Sequence, residues 1–210
     1  MLEFLRAVGV LKTIPRQGWV DRRIPDPESV ADHTYRSAMM AWALGQAAGL
    51  DTARLVKIVL VHDLPEAEAG DATPYVGIVE TGVRVEDAVA RWRDLLSPEE
   101  RAEAKMRKHA LEADGLARIC ASLPGSLGDE LLDLWAEYSE RRTPEARFAA
   151  EIDKLEALLQ AIEYRDAGHP ADVENFLLSA RESVQHPLLV ELLAELERYL
   201  ASRPSRKSEA

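Results

Sequence analysis

The stretch Leu55 to Pro74, LVKIVLVHDLPEAEAGDATP, limits the possible folds of this chain more than any other segment. An apolar run of helical spacing, Leu55, Ile58, Val59 and Leu60, ends in His62 and Asp63, and Glu66, Glu68 and Asp71 follow closely. A buried helix that ends in an imidazole and a carboxylate must give both groups a partner, because unpaired polar groups are costly to remove from water. Histidine supplies a neutral nitrogen and aspartate a hard oxygen, a pair suited to a divalent cation. Two side chains do not close a coordination shell, so the fold must bring further ligands to this helix end.

The rest of the chain supplies helices to do so. Ala, Leu, Glu and Arg are abundant and β-branched runs are scarce, which predicts an all-α fold. At 210 residues the chain has the length of one domain, able to bury about 70% of its unfolded surface. Phe4, Leu5, Val8 and Leu11 give Glu3 to Leu11 an amphipathic helical pattern that Pro15 ends. Gly18, Pro25 and Pro27 predict an irregular loop over Arg16 to Pro27, a cationic segment carrying Arg16, Trp19, Arg22 and Arg23.

Ser29 and Asp32 form a capping-box pattern, so a helix is expected from Val30 to Gly49, with His33 in its first turn. There the helix dipole disfavours imidazolium and predicts a neutral ring, the state a metal requires. Asp51 caps the helix that leads to His62, Pro65 breaks or restarts it, and Gly70 with Pro74 marks a turn. Glu66 then lies one turn beyond the His-Asp pair and Asp71 on a loop.

Downstream, Val83, Val85, Val89, Trp92, Leu95 and Leu96 suggest one helix, and Ser97 with Glu100 caps another through Leu116, on which His109 is expected to be exposed. Asp129 to Arg141 is amphipathic. Thr143 and Pro144 open a long helix with Phe148, Ile152, Leu155, Leu159 and Ile162 as its core stripe. Asp153 stands beside that stripe, flanked one turn away on each side by Ala149 and Ala157, which leave room for another segment to approach. Helices over Val173 to Ser183 and Pro187 to Leu200 complete a domain spanning residues 1–200, and the polar residues 201–210 are expected to be a disordered tail.

A formal charge of −11 argues against nucleic acid polymers as partners, while a metal and an arginine can still reverse the sign locally for a small anion. Cys120 is the only cysteine, so no intramolecular disulfide forms. No stretch approaches the roughly 20 apolar residues needed to span a bilayer, and a membrane partner and a secretory leader are not expected. His33, His62, Asp63 and Asp153 together offer two imidazoles and two carboxylates, a set suited to one ion of Mn, Co, Mg, Zn or Fe.

The order His, His-Asp, Asp, embedded as ESVADH, VHDLPEAEAGDATP and FAAEIDKLEALLQA, resembles the HD-domain metal-dependent phosphohydrolases. More narrowly it is similar to the HD-domain 5'-deoxynucleotidases, over most of the chain. The resemblance implies a single helical HD domain that binds one divalent ion through His33, His62, Asp63 and Asp153. It implies that Glu66 and Asp71 serve catalysis and that Arg16 and Trp19 contact phosphate and sugar. In some bacterial members that Arg and Trp are adjacent, whereas Gln17 and Gly18 separate them here, leaving Arg22 and Arg23 as alternatives to Arg16.

The sequence features above predict a cytoplasmic protein, and the resemblance implies a homodimer that hydrolyses a small nucleotide, a deoxyribonucleoside 5'-monophosphate. Rival readings are another HD-type activity, on a cyclic nucleotide, a nucleoside triphosphate or an alarmone, and a metal-binding module without catalysis. Retention of Glu66 and Asp71 beside all four ligands argues against the last, and the GYP signature of HD-type cyclic dinucleotide hydrolases is absent.

Overall fold

The computed structural model describes residues 1–73 and 82–203. Pro74 of the expected turn and residues 204–210 of the expected tail lie outside the described residues, as does the side chain of Trp92, while Ala201 and Ser202 of that tail are helical rather than disordered because they continue the last helix. The described residues form helices α1 (Leu2–Val10), α2 (Gln17–Asp21), α3 (Val30–Ala47), α4 (Thr52–His62), α5 (Glu66–Ala69), α6 (Val85–Leu95), α7 (Pro98–Cys120), α8 (Leu127–Glu140), α9 (Pro144–Asp166), α10 (Val173–Ser183) and α11 (Pro187–Ser202). Among them none is long and apolar enough to cross a membrane.

Local chemistry sets most of the boundaries. Ser29 and Asp32 exchange both bonds of a capping box at the start of α3, and Ser97 and Glu100 do the same for α7. The Asp51 side chain accepts from the Arg54 amide to cap α4, and Thr143 caps α9 with Pro144 in its first turn. The segment Arg16 to Pro27 departs from the loop expected of it. Its α2 has no side-chain cap from its own N-cap residue, but the distant Asp71 carboxylate accepts from the Gln17 amide at 2.9 Å. A tertiary cap of this kind leaves no local signal. Backbone bonds from Arg16 to Glu28 and from Val30 to Ile14, both 2.9 Å, close the segment at its base.

Helix α9 runs through the middle of the domain and packs against α3, α4, α8, α10 and α11. Its Phe148, Ile152, Leu155 and Leu158 are fully buried, together with Leu55 and Ile58 of α4, Leu116 of α7 and Leu189 of α11. Each such side chain contributes about 1.5–3 kcal/mol of burial free energy. The stripe differs by one residue from its expected course, since Leu158 is buried and Leu159 only half-buried. Helix α8 starts at Leu127, ahead of the expected Asp129.

Helix α7 approaches α5 closely at Gly115. A Cβ there would lie 3.1 Å from the Glu68 Cβ and 3.2 Å from the Pro65 carbonyl oxygen. The missing side chain therefore sets how near α7 comes to the turn carrying Glu66. Gly115→Ala is expected to destabilise the protein by about 1–3 kcal/mol through overpacking, read as a lower thermal midpoint. An unchanged or raised midpoint would show that the two helices have room to part.

Candidate metal centre

Helix α4 delivers His62 at its last position and Asp63 as its C-cap. The His62 Nδ1–H donates to the Val59 carbonyl at 2.6 Å, which fixes the tautomer and leaves the Nε2 lone pair free. That Nε2 lies 3.1 Å from Asp63 Oδ2. From α3, the fully buried His33 directs Nδ1 at Glu156 and places Nε2 3.3 Å from Asp153 Oδ1 and 3.7 Å from Asp63 Oδ2.

The Nε2 atoms of both histidines are buried without a hydrogen-bond partner. Ligand atoms of His33, His62 and Asp63 lie within 4.8 Å of one another. Two orphaned imidazole nitrogens facing carboxylates fit a divalent cation, since burial without a ligand would leave both nitrogens unsatisfied. Asp153 sits on α9, and Lys154 holds its other oxygen at 2.9 Å.

Glu156, one turn after Asp153 on α9, was not distinguished by the sequence pattern, yet it is fully buried. It holds the His33 ring through Nδ1 and accepts from Arg36 Nε at 2.8 Å. A carboxylate behind a ligating imidazole fixes ring orientation and raises ligand basicity. The available signal was a matched pair of spacings, His33 with Arg36 on α3 and Asp153 with Glu156 on α9. Glu28, His33 and Glu156 form a second trio with ligand atoms within 4.8 Å. There His33 Nδ1 is already engaged by Glu156, and Glu28 Oε1 accepts from the Trp19 indole at 2.8 Å, so this trio braces the ring.

Without a metal, the carboxylates around His33 work against the neutral ring that the helix dipole favours. Burial and Arg16 oppose protonation, but Glu156 and Asp153 outweigh them and push the pKa up to about 10. Burial also opposes ionisation of Asp63, yet His62, Arg16 and His33 hold it well below the usual carboxylate range. Asp153 is likewise depressed, by Lys154 and His33 against the effect of burial. Glu28, by contrast, is raised to about 7 by burial and Glu156.

A pocket of about 450 Å³ opens beside this cluster, lined among others by Arg16, Trp19, His62, Asp63, Asp71 and Asp153, with Glu66 also in its wall. This volume lies in the range of small-molecule sites, about 300–1,000 Å³. Arg16 is placed on the cluster: its Nη1 donates to Asp63 Oδ2 at 2.9 Å, and its Nε lies 3.7 Å from Asp71 Oδ2. Arg22 lines the same pocket, where it donates to the Gly18 carbonyl and lies over the Phe176 ring.

Glu66 is 1% exposed, with Oε2 unpartnered. Burial, Asp63 and Asp71 raise its pKa well above the usual range, against Arg16 and Lys108. Trp19 is 3% exposed and stacks on Phe176 with its edge to Tyr164, so it anchors α2 while bordering the pocket. Glu68 pairs with Arg118 on the surface, and His109 is exposed.

The helices thus bring His33, His62 and Asp63 together, with Asp153 beside His33, at the edge of a pocket of small-molecule size, an arrangement of the metal-binding helical class. The chain belongs to the HD domain family, whose model matches residues 8–189. It is 37% identical over 198 residues to 5'-deoxynucleotidase HDDC2 of Homo sapiens, covering 94% of this chain and 84% of that one. Among solved structures it is similar to a conserved hypothetical protein from Pyrococcus furiosus, with a TM-score of 0.68, 28% identity and coverage of 94% and 99%. A predicted metal-dependent phosphohydrolase from Magnetospirillum magnetotacticum MS-1 matches with a TM-score of 0.60, 25% identity and coverage of 94% and 93%.

Protons compete with a metal for imidazole nitrogens, and in the absence of metal Glu156 and Asp153 raise the pKa of His33 to about 10, so an ion bound through Nε2 would displace a proton. Metal affinity is therefore expected to rise with pH through neutrality, by about tenfold per unit, with about one proton released per ion. Calorimetric titration with Mn or Co in buffers of different ionisation enthalpy reads this directly. Binding heats that do not depend on the buffer would contradict it.

Proposed function

We propose that the chain is a metal-dependent 5'-deoxynucleotidase that hydrolyses deoxyribonucleoside 5'-monophosphates to deoxynucleoside and phosphate. The observation that carries this reading is the pair of unpartnered imidazole nitrogens beside Asp63, a carboxylate that also receives Arg16 and faces a pocket lined by Glu66 and Asp71. The activity carried in the name of the human relative supports the substrate class.

His33, His62, Asp63 and Asp153 would hold one divalent ion, of Mn, Co, Mg, Zn or Fe. When bound, such an ion supplies Lewis acidity toward phosphoryl oxygens and a more acidic water. Arg16 is placed to add a positive charge at the same phosphoryl oxygens, and Asp71 keeps that arginine in place by accepting from Gln17 and pairing with its Nε.

Glu66 is the carboxyl group suited to hold a proton, because burial and then Asp63 and Asp71 raise its pKa well above the usual carboxylate range. It would donate to the leaving 5'-oxygen through Oε2, the oxygen without a partner. Asp71 then orients Arg16 and the attacking water. The Trp19 indole N–H is taken by Glu28, so the ring offers a 2'-hydroxyl no donor, which favours deoxyribose.

A homodimer is part of this reading, supported by the exposed stripe Tyr35, Met39 and Trp42 on one face of α3. A cytoplasmic location is supported by the lone Cys120, which calls for no oxidising compartment.

After removal of metal and separate addition of Mn, Co, Mg or Zn, phosphate release from dAMP is expected well above that from AMP, cyclic AMP or dATP. Equal rates on AMP would remove the deoxy selectivity, and no release from any of the four would favour a binding module. Asp63→Ala is expected to lose metal and activity together. Glu66→Gln should keep metal while activity falls roughly 10²–10⁴-fold, and full activity in that variant would refute the proton-donor role.

A further inference from the structure

We propose that Lys108 is a positioning residue for Glu66 and for the loop that carries Asp71. The inference rests on the hydrolase reading above and assigns a part of the machinery outside the metal cluster. Lys108, Glu112 and Gly115 occupy one face of α7, at successive helical turns. Gly115 lets that face approach α5 closely, with the Pro65 carbonyl 3.2 Å from where a Cβ would stand. Two turns earlier on the same face, the Lys108 stem therefore reaches the pocket beside Glu66.

Its ammonium donates to the Ala72 carbonyl at 3.1 Å and lies 3.3 Å from Glu112 Oε1 and 3.6 Å from Glu66 Oε1. One of its three donors is thus hydrogen-bonded to backbone, and its charge is shared by the Glu112 and Glu66 carboxylates as ion pairs. A lysine so engaged is not free to follow a phosphate. What it does is hold Oε1 of Glu66, leaving Oε2 as the oxygen presented to substrate, and tie the backbone at Ala72, next to Asp71. Asp71 in turn holds Gln17 and Arg16. One side chain thus fixes the proton donor and, through the loop, the arginine.

The test compares wild type, Lys108→Met, Lys108→Gln and Lys108→Arg, each loaded with Mn, on dAMP. Lys108→Met and Lys108→Gln are expected to lower kcat roughly 10- to 100-fold, with KM within about twofold and bound metal per chain unchanged. Lys108→Arg, which keeps the charge and the reach, should restore most of kcat. Hydrogen exchange at Gly70 to Thr73 should rise in Lys108→Met but not in Lys108→Arg, while that of α4 stays the same.

A rise in KM with kcat preserved would mean that Lys108 touches the phosphate and would overturn the proposal. So would unchanged kinetics, metal loss in step with activity, or failure of both uncharged variants to fold. If wild type releases no phosphate from dAMP, the deoxynucleotidase reading fails on its own. The exchange result then decides the clamp: faster exchange at Gly70 to Thr73 keeps it, and unchanged exchange removes it.

Discussion

The structure depends on a histidine buried between two carboxylates of one helix. His33 has no solvent exposure, and α9 meets it with Glu156 on one nitrogen and Asp153 by the other. Removing a charged cluster from water costs several kcal/mol per ion unless each member is paired, so the arrangement stands only while α3 and α9 keep register. Arg36 supports that register by spanning from α3 to Glu156, Gln160 and Glu163 on successive turns of α9. The polar contacts that place the proposed ligands are thus the same ones that clamp two helices of the core.

The pocket side is built by a chain of longer-range contacts. Asp71 caps α2, whose preceding residue Arg16 reaches Asp63, and α2 carries Trp19 down onto Phe176 and Tyr164. Glu28 closes the circuit: it accepts from the Trp19 indole, its amide donates to the Tyr164 hydroxyl, and its charge is felt by Glu156 and His33. A disturbance of the segment around Arg16 should therefore reach the cluster through defined hydrogen bonds.

What could be read from the sequence follows the range of the interaction. Caps and helix ends are local, and Ser29, Asp51, Ser97 and Thr143 mark their helices as their chemistry requires. The order of His33, His62, Asp63 and Asp153 was legible through its resemblance to a family, and the fold brings their segments together. Contacts between distant segments were not legible. Helix α2 exists because of a carboxylate 54 positions away, and Glu156 and Lys108 look like ordinary charges on solvated helices until their neighbours are placed. The proton affinity of His33 follows the same rule: a dipole can be inferred from one helix, whereas the two carboxylates of α9 that raise it cannot.

The central claim is that side chains from α3, α4 and α9 share one cation. Crystals grown with Mn, with diffraction recorded on both sides of the manganese absorption edge, test it most directly. The account requires a single strong anomalous peak within about 2.3 Å of His33 Nε2, His62 Nε2 and carboxylate oxygens of Asp63 and Asp153. A peak seated instead among Glu28, Glu156 and the Nδ1 edge of the His33 ring, or no peak at saturating Mn, would contradict it.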